Sequence, residues 1–134
     1  HPVAMAAGLA VLDYIDQHHL FDRVLSAGRE LLAALEPLRQ HPNVGDIRGL
    51  GLLLGIEFVK DRASREPFPR STGFAERVRQ AAMEEGVTTY PIQGCADGER
   101  GDHILLAPPF TISADETRFL ARALEAALAR AAAS

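Results

Sequence analysis

A few residues in this sequence have the side-chain type for covalent, metal or phosphate chemistry, and their spacing decides what each can do. The chain holds thirteen arginines but only one lysine, Lys60. A lysine amine attacks carbonyl groups near neutral pH only when its pKa is depressed. Lys60 sits in Lys60-Asp61-Arg62, a polar setting, and the neighbouring carboxylate favours the charged form. With an ordinary pKa near 10.4, less than about 0.1% would be free amine at pH 7. Cys95 is the single cysteine, with no sequence partner marking it as a nucleophile and none for a disulfide. His18 and His19 are adjacent; neighbours on a helix do not share a face, so a helix junction is expected rather than a metal site. Gly49-Leu50-Gly51 reads as a hairpin turn, whereas a phosphate cradle joins a strand to a helix N-terminus. No Gly-x-Ser-x-Gly elbow is present. These residues make no catalytic constellation by themselves, and the chain reads as half of something.

The elements that must position them centre on residues 44–59. Val44 to Arg48 read as one strand, Gly49 to Gly51 as the turn, and Leu52 to Val59 as a second strand. Along it Leu52, Leu54, Ile56 and Phe58 form a wholly apolar face, while Leu53, Gly55 and Glu57 form the other. A lone hairpin is marginal in water, so that face needs a cover. Helices are predicted over His1–Gln17, from after His19 to about Gln40, from about Thr72 to Glu85, and after the capping box Ser113-Ala114-Asp115-Glu116. Val87–Tyr90 and His103–Ala107 are the remaining strands, with a mobile glycine-rich loop from Pro91 to Asp102 between them. Lys60 to Ser71 reads as a loop. The expected fold is α+β, in the order α-α-β-β-α-β-β-α: a small antiparallel or mixed sheet of about four strands with helices on one face.

The formal net charge is −4, from 14 Lys plus Arg against 18 Asp plus Glu. That argues against a nucleic-acid module, which neutralises phosphates with a basic stripe. No apolar run approaches the roughly 20 residues of a membrane span, and a cytoplasmic protein is expected. The first helix has almost no polar face from Val3 to Leu12. A helix apolar all round must be covered all round, so a second domain or a partner subunit is expected against it. The His1-Pro2 opening, running straight into that helix, reads as a piece of a longer protein.

Three stretches carry a family resemblance: His1-Pro2-Val3-Ala4-Met5-Ala6-Ala7; Gly45-Asp46-Ile47-Arg48-Gly49-Leu50-Gly51 leading into Gly55-Ile56-Glu57; and Leu106-Ala107-Pro108-Pro109-Phe110-Thr111-Ile112. In order and spacing they resemble the C-terminal small domain of the class III (omega) aminotransferases, pyridoxal-phosphate enzymes of fold type I. The resemblance implies an interdomain helix over residues 1–17 and the small domain over 18–134. It implies that the cofactor lysine and phosphate-binding residues lie in a large domain upstream of His1. It further implies pyridoxal 5'-phosphate in the parent enzyme, a homodimer, and amine, amino-acid and keto-acid or aldehyde substrates. Some members carry an arginine in the loop before the Pro-Pro strand that pairs with a substrate carboxylate, and Arg100 lies in the corresponding loop. Arg48 is expected to be structural, bonded to a carboxylate or a carbonyl near the hairpin. The resemblance leaves aminomutase and racemase relatives open. A stand-alone α+β ligand-binding or dimerisation module is the reading from a different class.

Overall fold

A computed structural model describes residues 1–133. The chain is α+β, with four α-helices and one antiparallel sheet. Helices α1 (Pro2–Gln17) and α2 (Leu20–Leu35) come first, followed by a 3-10 segment, Glu36–Gln40. Strands β1 (Val44–Leu50), β2 (Leu53–Asp61) and β3 (Glu66–Pro67) precede helix α3 (Phe74–Glu84). Strands β4 (Tyr90–Gln93) and β5 (Asp102–Leu106) and helix α4 (Ala114–Ala132) complete the order. The sheet runs β1-β2-β5-β4, with β3 paired to the far end of β2.

The second strand turns the expected face to the core. Leu52, Leu54, Ile56 and Phe58 are all buried, each contributing on the order of 2 kcal/mol. They share one core with Leu31 and Leu35 of α2, Phe74 and Val78 of α3, Ile104 of β5, and Leu124 and Leu128 of α4. The turn lies further along than the sequence suggested. Leu50 pairs with Leu53, so Gly51-Leu52 is a two-residue loop and Gly49 belongs to β1. Gly51 is left-handed at φ 58°, which a side chain disfavours. Helix α2 presses on this turn so closely that a Cβ on Gly28 would lie 2.2 Å from the Gly51 carbonyl oxygen.

Other boundaries move for identifiable reasons. The second helix tightens to 3-10 at Glu36, because Pro37 has no N–H to return to Ala33 and the Glu36 N–H takes that carbonyl instead. The fourth strand starts at Tyr90 rather than Val87, since the Val87 N–H is occupied by the Ala82 carbonyl at 2.8 Å. Pro91 sits inside β4, which its position at the sheet edge permits. A fifth strand, β3, appears where a loop was expected. The glycine-rich stretch expected to be a mobile loop is closed on itself: Gly94 N–H meets the Gly101 carbonyl at 2.8 Å, Ala96 N–H the Arg100 carbonyl at 3.0 Å, and Gly98 N–H the Gly94 carbonyl at 2.9 Å. Helix α1 buries no residue in this chain, and Val3, Met5, Leu9, Val11 and Leu12 are 59–70% exposed.

Candidate functional site

Alternation along the strands gives the sheet a second face, turned away from the core. Its cross-strand rows are Leu50–Leu53, then Arg48–Gly55–Leu105–Tyr90, then Asp46–Glu57–His103–Ile92. Leu50, Leu53 and Tyr90 are 79%, 58% and 67% exposed. Helices α2, α3 and α4 pack on the opposite face, so this one is an open, largely apolar platform with polar groups set into it.

Those polar groups are bonded to one another. One amino group of Arg48 donates to Asp46 at 3.0 Å and to Glu57 at 2.6 Å, the structural role expected of it. The Glu57 bond, then the Asp46 bond, raises the Arg48 pKa. His103 stands in the row beside Glu57. Burial first, then the Arg48 charge, pushes its pKa below the usual histidine value. Its Nδ1 is buried, without a hydrogen-bond partner among the described residues. Cys95 lies close enough to Gly101 that a Cβ there would meet its Sγ at 2.9 Å. Desolvation, ahead of the Glu57 charge, pushes its thiol pKa up, the opposite of an activated nucleophile.

Arg100 is exposed, in the turn between β4 and β5. Its Nε donates to the Asp97 carboxylate at 2.7 Å. Asp97 also accepts from the backbone N–H groups of Arg100 (2.7 Å) and Glu99 (3.0 Å). The Arg100 backbone N–H and then its side chain hold the Asp97 carboxyl at a pKa of about 2. Lys60 pairs with Glu66 at 2.8 Å, and that bond, more than Asp61, raises its pKa. His18 lies against Tyr14 with ring centroids 4.1 Å apart and planes tilted by 42°, and His19 is left-handed at the helix junction.

These residues do not fit pyridoxal phosphate. The only lysine is exposed and ion-paired. Of the helix N-termini, the usual seat for a phosphate, those of α3 and α4 are already taken by carboxylates, while α1 and α2 carry no side-chain cap. The Asp102 carboxylate, fully buried, accepts from the Ala75 N–H at the start of α3 at 2.9 Å. Glu116 and Ser113 form the capping box on α4. Among the described residues no group of three His, Cys, Asp or Glu could hold a metal, and no helix is long and apolar enough to cross a membrane.

The sequence reads residues 44–59 as a hairpin with Leu53, Gly55 and Glu57 on the face opposite the apolar one. That reading misses that Tyr90 and His103 extend that face into a platform. The signal was the placement of Tyr90 two residues before Ile92, but it was hidden by ending that strand at Tyr90.

Residues 1–128 match the family described as aminotransferase class-III. An uncharacterized aminotransferase of Schizosaccharomyces pombe is 43% identical over 125 residues, which are 92% of this chain and 27% of that protein. The adenosylmethionine-8-amino-7-oxononanoate aminotransferase of Methanocaldococcus jannaschii is 31% identical over 126 residues, 94% of this chain and 26% of that protein. An amine transaminase from an uncultivated Pseudomonas species, solved in its PLP-bound form, superposes with a TM-score of 0.84 at 36% identity, over 97% of this chain and 28% of that one. The chain thus spans about a quarter of the length of the relatives it matches.

Proposed function

This chain belongs to the class III aminotransferases, and from that premise we propose that it is the C-terminal small domain of a transaminase whose cofactor domain lies outside these 134 residues. The observation that carries the reading is the combination of near-complete coverage of this chain with coverage of only about a quarter of each relative. The parent enzyme transfers an amino group from an amine or amino acid to a keto acid or aldehyde. Pyridoxal phosphate, held by the rest of the parent, supplies the electron sink for that chemistry.

This chain's share is binding and enclosure. Helix α1, apolar around its circumference and uncovered here, is the helix that links the two domains. The open sheet face turns toward the large domain, where its apolar rows exclude water from the cleft and Tyr90 stands nearest the edge. Arg100 meets the carboxylate of a keto-acid acceptor. A guanidinium is suited to that task because it presents paired N–H groups to the two carboxylate oxygens. The parent works as a cytoplasmic homodimer.

The test compares the full-length parent with this chain, each given pyridoxal phosphate, an amine donor and pyruvate. Alanine formation by the parent and none by the chain is the expected result. Turnover by the chain, or none by the parent with any amine or amino-acid donor, would overturn the proposal.

A further inference from the structure

The sheet has two edge strands, β1 and β4. An open edge is a template on which a further strand can add. Strand β4 is four residues long, and Pro91 within it has no N–H to offer. Strand β1 is seven residues long with no proline. Its two-residue loop closes on Leu50–Leu53, and every second pair back from there, Arg48–Gly55 and Asp46–Glu57, exchanges the ladder hydrogen bonds. Ile47, between them, therefore turns its N–H and C=O to the outer edge.

Both of those groups are already occupied. The Ile47 N–H donates to Asp46 Oδ1 at 2.8 Å, and the Ile47 carbonyl accepts from Arg39 Nη2. Arg39 Nη1 donates to the same Asp46 oxygen at 2.9 Å, and Nε donates to Glu36 at 3.0 Å. Three acceptors thus fix the guanidinium along the strand. It reaches them because the chain after α2 tightens to 3-10 over Glu36–Gln40 and runs beside β1. Beyond Ile47 the register slips between Val44 and Asp46, which interrupts regular pairing. The Val44 N–H is taken by the His41 carbonyl at 3.1 Å. We propose that the Arg39–Asp46 pair is an edge guard: by filling the outward N–H and C=O of Ile47, it prevents a second copy of this chain from adding its own β1 to the sheet. A second copy is the natural partner, because an antiparallel approach centred on Ile47 is self-complementary, each Ile47 offering one donor and one acceptor. The edge also adjoins the exposed side chains of Leu50 and Leu53, and an added strand would lengthen that apolar surface. The guard does not depend on the transaminase reading.

Arg39→Met with Asp46→Ala opens the edge. Arg79→Met with Glu76→Ala removes an ion pair from α3, away from β1, and is the control. Ion pairs at this exposure add little to stability, so both variants keep the fold. In sedimentation velocity of the full-length enzyme, the edge variant should associate beyond the unaltered enzyme, at concentrations about tenfold or more below any association of the control. In dilute solution its Ile47 amide should exchange about tenfold faster than in the unaltered enzyme, the loss of one hydrogen bond. Mass spectrometry of peptides spanning β1 should show that protection returning as the variant associates. Asp46→Asn alone keeps an acceptor for the Ile47 N–H and should behave as the unaltered enzyme. Should the double variant lose its circular-dichroism signal, Asp46→Ala alone carries the same readings. No added association would overturn the proposal, as would equal association of the control. Association that leaves the Ile47 amide unprotected, or that is as strong in Asp46→Asn, would overturn it too.

Discussion

At the scale of single residues, Gly28 and Gly51 carry the tightest constraint. Their backbones meet where α2 crosses the hairpin turn, and a methyl on Gly28 would overlap the Gly51 carbonyl. Neither partner is a flexible side-chain end, so the helix or the turn must move. Gly28→Ala should lower stability by about 1–3 kcal/mol in a urea melt. Gly8→Ala is the control: nothing lies within 4 Å of its added Cβ, and α1 should gain up to about 1 kcal/mol of helix propensity. Two histidines make a second residue-scale prediction. Burial lowers the pKa of His41, and burial followed by the Arg48 charge lowers that of His103. In the unfolded chain both take up protons near pH 6.5, whereas the folded chain takes them up only at lower pH. The unfolded state therefore binds more protons in this window, and stability is complete above about pH 6.5 and falls as the pH drops through the folded values. The urea midpoint should decline between pH 7 and 5.5, and His41→Gln with His103→Gln should flatten that slope. An undiminished slope in the double variant would assign it elsewhere.

At the scale of elements, the strand faces and the α4 capping box were legible, and the exact ends of segments were not. The alternation Leu52-Leu54-Ile56-Phe58 specified the buried face, because a one-residue slip would turn all four outward. Ile56→Ala should therefore cost about 2–5 kcal/mol, and Leu53→Ala on the open face within about 0.5 kcal/mol. Comparable losses at both positions would contradict the register. The Ser113–Glu116 box was readable from four residues, and both of its reciprocal bonds are present. Ser113→Ala should cost about 1 kcal/mol. What the sequence concealed depended on distant partners. Val87 has strand propensity, but its N–H caps the end of α3. Asp102 looked like the last residue of a loop, yet its buried carboxylate caps α3 from 27 positions away. Tyr90 joined the open platform only once β4 paired with β5. Arg100 was placed by family resemblance, and its Asp97 partner was three residues away, a spacing that local reading could have flagged.

At the scale of the whole molecule, two uncovered apolar surfaces, α1 and the open sheet face, belong to a chain that spans about a quarter of its relatives. Under the proposed function those surfaces meet the rest of a longer transaminase, and its cofactor lysine lies outside these 134 residues. Lys60, exposed and paired to Glu66, is the one residue here that could contradict it. The most direct measurement treats the full-length enzyme with pyridoxal phosphate, reduces it with borohydride, and maps the pyridoxyl-modified lysine by peptide mass spectrometry. The account predicts one stoichiometric modification, on a lysine outside these 134 residues, with Lys60 unmodified. Stoichiometric modification of Lys60 would contradict it.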